Sequence, residues 1–254
     1  MRFKDHFSRQ AADYAKFRPR YPQELFNYLE TIAPSRQLAW DCGTGNGQAA
    51  VRLASVFGRV IATDASEKQI ANAEPHEHVE YRVAPAENCD IDSGTIDLIM
   101  VAQALHWFDL ARFYAEARRV LKPNGVLAAS GYNLLHIDPA IDKVVNRYYF
   151  EVVGPFWPPE RKLVEQFADL PFPFYEIDPP EFEMTAQWNL DHLVGYLGTW
   201  SATQWFIAAK GSEPLEQITD DLRNAWGDPQ QMRKVIWPLT LRLGVQEMSE
   251  PLTE

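Results

Sequence analysis

The residues whose types and spacing suit chemistry crowd into one stretch, LAWDCGTGNGQAA, at 38–50. Three glycines, Gly43, Gly45 and Gly47, follow an acid, Asp41, directly after a run that reads as a buried strand. Glycine there lets the backbone approach a ligand closely, and a following helix offers unpaired amides and the positive end of its dipole. A dinucleotide site asks for Gly-x-Gly-x-x-Gly. That pattern puts its third glycine at position 48, but position 48 is Gln48 and the glycine comes one residue early. An acid at Asp41 repels a pyrophosphate and suits a ligand that carries an ammonium group.

Asp64 ends the next strand candidate, twenty-three positions after Asp41. An acid at that distance sits where it can take both hydroxyls of an adenosine ribose. An ammonium group and an adenosine ribose together describe S-adenosyl-L-methionine. Other reactive-looking residues read more plainly. His76 and His78 lie in the polar loop AEPHEHVE without a third ligand nearby in sequence, so no metal site is expected. Cys42 reads as a small buried apolar residue. The two cysteines, Cys42 and Cys89, have neither disulfide-framework nor zinc spacing, which predicts a reducing, cytoplasmic setting.

The elements that must position these groups follow a βαβ rhythm. Strands are expected at 38–42, 59–64, 79–83, 95–102 and 126–132, and helices at 48–57 and 109–121. Ser66 with Gln69 has capping-box spacing for a further helix. After Tyr132 the character changes, with aromatics and prolines crowding into GPFWPPERKL and LPFPFYEIDPPEF. Helices are expected near 139–152, 160–169, 190–200 and 214–226, and the extended segments 181–189 and 233–243 would close the sheet as an antiparallel pair. The expected fold is therefore α/β, a doubly wound, mostly parallel seven-stranded sheet with a helical, aromatic-rich lid inserted after strand five. As one domain over 1–254, it would comprise an N-terminal cap (1–37), a cofactor-binding core (38–132), an acceptor-side lid (133–232) and a closing strand with tail (233–254).

Composition limits the partners. The chain has 254 residues, 46% hydrophobic, enough to bury a full core, and a formal net charge of −11. No basic stripe matches a phosphate backbone, which argues against nucleic acid. No apolar run reaches signal-peptide or membrane-span length, so neither a membrane nor an export route is expected. A monomer or homodimer acting on a small molecule is the expectation.

Four motifs in order resemble those of class I S-adenosylmethionine-dependent methyltransferases: WDCGTGNGQ their glycine motif, ATDAS their ribose-binding strand end, APAEN their adenine loop and RRVLKPNGVLA their turn before strand five. FSRQAADYAKFRPRYP, QALHWFD, FWPPERKL and TWSATQW are similar to the trans-aconitate methyltransferase-like group. The resemblance implies that Gly43, Gly45 and Gly47 pass around the methionine moiety, with Asp41 near its ammonium and Asp64 on the ribose. It places Ala86 and Glu87 beside adenine, Gln103 beside the methionine part, and Tyr14 and Arg18 over the cofactor with its carboxylate. His106 and Trp107 would face the methyl group and the acceptor. Tyr132, Trp157, Arg161, Trp200 and Trp205 would line the acceptor pocket. Alternatives stay open: Glu87 also reads as a solvated loop acid, Trp107 as a core aromatic, and Tyr14 and Arg18 as a surface helix.

The function expected is methylation of a small molecule, plausibly at the oxygen of a carboxylic acid, and the resemblance implies a small polycarboxylic one. Such an acceptor is ionised at neutral pH and needs no base, only an arginine to orient it. A hydroxyl or amine acceptor would want one, and His106 is the candidate. The competing readings are a dinucleotide-dependent oxidoreductase and a non-catalytic S-adenosylmethionine-binding protein.

Overall fold

The computed structural model describes residue 17 and residues 19–159, 161–165 and 167–246; the expected cofactor residues Tyr14 and Arg18 lie outside them. Its elements, in chain order, are α1 (Gln23–Ile32), β1 (Leu38–Cys42), α2 (Gln48–Leu53), β2 (Arg59–Asp64), α3 (Glu67–Ala71), β3 (Val79–Val83), β4 (Ile96–Ala102), α4 (Leu110–Val120) and β5 (Leu121–Tyr132). Then follow α5 (Pro139–Arg147), α6 (Arg161–Glu165), β6 (Tyr175–Ile177), β7 (Phe182–Trp188), α7 (Leu190–Gly198), α8 (Ser201–Lys210), α9 (Thr219–Trp226) and β8 (Arg233–Val245).

The parallel strands lie in the order β3-β2-β1-β4-β5. The chain thus winds outward from β1 and restarts on its other side at β4, which opens a crevice between the carboxyl ends of those two strands. Strand β8 runs antiparallel to β5, with Val126 opposite Val245 and Tyr132 opposite Leu239. Its outer edge is shared: β6 pairs with residues Leu243–Val245 and β7 with Arg233–Leu239. Eight strands therefore fill a sheet seven strands wide. The expected closing pair, β7 with β8, is present; the three-residue β6 has no alternating pattern to announce it.

The central strands are buried on both faces, which is why they read as continuous apolar runs. Successive residues of β4 serve opposite cores: Leu98 and Met100 belong to the core that holds Phe26, Leu53 and Trp226, while Ile99 and Val101 belong to the one that holds Phe113 and Leu121. Trp40, Trp226 and Trp237 are fully buried, each burial contributing on the order of 2–3 kcal/mol. Helix α4 starts at Asp109, whose carboxylate accepts the Arg112 amide at 3.4 Å. Ser66 caps α3 through the Gln69 amide at 3.3 Å, as its spacing predicts.

The structure departs from expectation mainly beyond β5. Helix α5 gives way at Tyr148–Val152 to a wider π-type turn, and α6 covers only the start of 160–169. Helix α8 was not expected at all: it buries Ala202, Thr203 and Phe206 while Trp205 stays exposed, so no single apolar stripe marks it, and Gly211 at φ 68° ends it.

Candidate active site

The turn after β1 is held by backbone bonds. The amides of Gly43 and Thr44 both donate to the Thr63 carbonyl at 2.9 Å, and the Gly47 amide donates to the Thr44 carbonyl at 3.0 Å. All three glycines have positive φ, 74°, 56° and 87°. The surroundings separate them. A Cβ at Gly43 would stand 2.6 Å from the Ala104 Cβ, and one at Gly47 2.2 Å from the Tyr81 hydroxyl, whereas one at Gly45 meets nothing within 4 Å. Gly43 and Gly47 let the protein close on itself, and Gly45 faces open space at the end of the crevice.

Two carboxylates flank that space. Asp64, at the end of β2, accepts the Gly45 amide on Oδ2 at 2.9 Å and the Ser66 amide on Oδ1 at 2.8 Å. Burial raises its pKa, and the two amide bonds oppose that rise. Asp41 is fully buried; its Oδ2 accepts the Thr44 hydroxyl at 2.5 Å, and its Oδ1 has no hydrogen-bond partner among the described residues. Burial, only partly offset by the Thr44 hydroxyl and the nearby Ala50 amide, pushes its pKa up to about 7. A buried carboxylate oxygen without a donor is costly unless a ligand supplies one. The ammonium group of S-adenosylmethionine would supply it, the Asp64 carboxylate is oriented for a diol, and the open side of Gly45 leaves room, so these residues fit that cofactor.

Ala86 is buried in the loop after β3. The Glu87 carboxylate accepts the Asp109 amide at 2.8 Å, so it ties this loop to the start of α4. Gln103 sits just past β4 with φ 55°, a region non-glycine residues seldom occupy. Its side-chain amide clamps the main chain of Tyr132, accepting from the amide at 2.9 Å and donating to the carbonyl at 3.0 Å. Gln103 therefore joins the carboxyl ends of β4 and β5 where the strands themselves part.

Beside this seam lies a cleft that brings together Gln103, His106, Trp107, Tyr132, Trp157, Arg161 and Trp200 from the sequence reading. His106 is buried with its ring 4.7 Å from that of Trp107. Burial, then the nearby Arg161 charge, pushes its pKa down to about 3, so its imidazole is neutral. Arg161 donates from Nε to the Tyr149 hydroxyl at 2.6 Å and from Nη2 to the Asn133 side-chain oxygen. Its guanidinium also lies 5.3 Å from the Tyr149 ring and 5.0 Å from the Trp157 ring. No acid pairs with it among the described side chains, which do not include those of Lys162 and Glu165.

Trp205 is the exception among the expected acceptor residues. It does not line the cleft and is 44% exposed. Five residues along a helix from Trp200 amount to about 140° of rotation, which turns it to another face. Asn133, Tyr149 and Ser201 line the cleft without having been anticipated. Asn133 directly follows the end of β5 and Ser201 lies inside TWSATQW, positions that could have flagged them, but Tyr149 carries no local signal.

Comparison with known proteins identifies the family. The sequence profile of a family described as a methyltransferase domain matches residues 40–129, from β1 into β5. A protein of Dictyostelium discoideum, provisionally named a methyltransferase, is 37% identical over 230 residues, 89% of this chain and 88% of its own. The solved structure of a provisionally named type II methyltransferase from Anaeromyxobacter dehalogenans is 46% identical, covers 92% of this chain and 100% of its own, and superposes with a TM-score of 0.87. The methyltransferase AacuQ of Aspergillus aculeatus is 33% identical over 144 residues, 53% of this chain and 47% of its own. The expected oxidoreductase alternative falls with these matches. The glycine turn and the crevice it borders lie inside the shared domain, and the likeness runs through nearly the whole chain. The protein belongs to the class I S-adenosylmethionine-dependent methyltransferases, with S-adenosylmethionine as its cofactor.

Proposed function

We propose that the protein methylates a small carboxylic acid at oxygen, as its resemblance to the trans-aconitate methyltransferase-like group suggested. The observation that carries this reading is Arg161, a cleft-lining guanidinium with no acidic partner among the described side chains. In this reading Asp41, Asp64 and the 43–47 turn hold the cofactor, with Ala86 and Glu87 shaping the adenine side. The cofactor supplies a methyl group on a sulfonium: a carboxylate oxygen forms the new O–C bond as the S–C bond breaks, the electron pair stays on sulfur and no proton moves. Arg161 orients the acceptor, Gln103 fixes the seam, and the aromatic walls with His106 and Trp107 exclude water. A neutral imidazole of such low pKa is a weak base, which suits an acceptor that needs none.

We also read residues 1–37 as a cap, 38–132 as the cofactor core, 133–232 as the acceptor side and 233–254 as closing strand and tail. Two buried free thiols suit a cytoplasmic setting.

The test is Arg161→Gln. S-adenosylhomocysteine released from a panel of carboxylic acids should fall roughly 100-fold in kcat/KM, as expected when a bidentate charged contact is lost. Cofactor affinity by calorimetry should stay within about twofold. Unchanged turnover of every accepted acid would remove Arg161 from the acceptor site.

A further inference from the structure

Tyr149 lines the cleft where the helix that carries it is interrupted. In a regular α-helix the Val153 amide would donate four residues back, to the Tyr149 carbonyl. Here it donates to the Tyr148 carbonyl at 3.0 Å, one residue further back. The Tyr149 carbonyl is thereby released from the helical ladder, and it accepts the Trp157 indole N–H at 3.2 Å. Such wide turns are rare and frequently mark functional sites.

The same residue holds Arg161 through its side chain. The Tyr149 hydroxyl accepts from Arg161 Nε at 2.6 Å, and the Asn133 side-chain oxygen accepts from Nη2. The guanidinium also lies 5.0 Å from the Trp157 ring, which is itself 4.9 Å from the Tyr149 ring. A ring contact of this kind leaves a guanidinium free to rotate in its own plane. Hydrogen bonds on two different nitrogens remove that freedom, because the donors of the fork are rigidly arranged. The nitrogen left over is Nη1, which donates to no acceptor among the described residues.

We propose that Tyr149 is the positioning residue of the acceptor site. Its hydroxyl sets the rotation of Arg161 and its released carbonyl sets the place of Trp157, so that Nη1 is presented to the acceptor's carboxylate. Arg161 touches the acceptor, and Tyr149 acts through it. The inference rests on the carboxylic-acid reading given above, in which Arg161 orients the acceptor.

The experiment uses the full chain with S-adenosylmethionine and measures S-adenosylhomocysteine release from trans-aconitate, citrate, benzoate and trans-cinnamate, following the acid turned over fastest. Tyr149→Phe keeps the ring and the main-chain carbonyl and removes only the hydroxyl. Acceptor kcat/KM should fall on the order of 10-fold, as expected when a hydrogen bond to a charged group is lost, while S-adenosylhomocysteine affinity stays within about twofold. A double-mutant cycle with Arg161→Met separates positioning from packing. Without Arg161 the Tyr149 hydroxyl has nothing to position, so in that background Tyr149→Phe should change kcat/KM by less than about twofold. Unchanged turnover by Tyr149→Phe overturns the inference, and so does an equal loss in both backgrounds, which would make Tyr149 part of the wall alone. Either result leaves the carboxylic-acid reading standing. Turnover of every acid unaffected by Arg161→Met, or no acid turned over by protein that binds S-adenosylhomocysteine, overturns that reading and this inference with it.

Discussion

Between Asp41 and Asp64 the groups that face the crevice are held by main-chain bonds: the amides of Gly43 and Thr44 on the Thr63 carbonyl, and those of Gly45 and Ser66 on the Asp64 carboxylate. The neighbouring cleft is built the other way, from side chains that come together from β4's end, β5's end, the turn after α5, and helices α6 to α8. A turn fixed by φ angles and close backbone approach admits few residue types at each position. A wall of large side chains can be rebuilt one residue at a time without disturbing the sheet beneath it. The first half is suited to a constant ligand and the second to an acceptor that differs between relatives.

The sharpest way to break this comparison is Asp64→Ala. The change removes a carboxylate that two amides hold in place, and with it, in the proposed reading, two charge-assisted bonds to the ribose, each worth about 1.5–3 kcal/mol. S-adenosylhomocysteine affinity should fall by on the order of 100-fold or more. The circular dichroism spectrum should remain that of the parent. A variant that binds like the parent would show that the crevice reads its ligand elsewhere.

Gln103 tests the seam between the halves. Its side-chain amide bonds to the Tyr132 main chain as another strand residue would, at the point where β4 has turned away. Gln103→Ala removes both bonds, at a cost of about 2 kcal/mol, which for a chain of this size lowers the melting midpoint by roughly 4–8 °C. Because the bonds set the end of β5, acceptor kcat/KM should suffer more than S-adenosylhomocysteine affinity. Equal losses in both would make Gln103 part of the cofactor half.

The same contrast governs how much the sequence disclosed. Asp41, the three glycines and Asp64 were legible because a backbone-built turn needs those residue types at fixed spacing. Strands β1, β2 and β4 were legible because two-sided burial leaves mostly apolar runs. Helix α8 and strand β6 were not, the first for want of an apolar stripe and the second for its three-residue length. Most cleft residues were found through the family resemblance. Tyr149 escaped because nothing local marks a side chain that meets its neighbours only in the fold. Trp205 was misplaced because a motif records spacing along the chain and not rotation around a helix.

Gly45 separates what the fold needs from what the ligand needs. Alanine there meets no protein atom within 4 Å, so its cost to stability is the positive φ alone, about 1–2 kcal/mol. The methyl group would project into the open crevice, and cofactor affinity should fall while the protein still melts cooperatively a few degrees lower. Gly47→Ala should do the reverse, since its methyl group meets the Tyr81 hydroxyl and the fold has to give first. If Gly45→Ala binds S-adenosylhomocysteine normally, the ligand does not pass that residue.

A pH dependence set by Asp41 is expected as well. Burial holds its folded pKa at about 7, against about 3.9 in an unfolded chain, so between those values the folded state binds the extra proton. Stability from this group is therefore fully present below about pH 4 and is lost as pH rises to about 7. Ligand binding runs in the opposite direction. An ammonium at Oδ1 favours the ionised carboxylate, so below pH 7 binding must release the proton. S-adenosylhomocysteine affinity should then rise up to tenfold per pH unit from pH 5.5 to 7 and level off above that, a difference of about 1.4 kcal/mol per unit. Calorimetry in buffers of different ionisation enthalpy would report the released proton directly. Asp41→Asn, neutral at every pH, should flatten the profile and abolish the proton release. An affinity that stays level across this range in the parent protein would mean that Oδ1 of Asp41 does not meet the ammonium group.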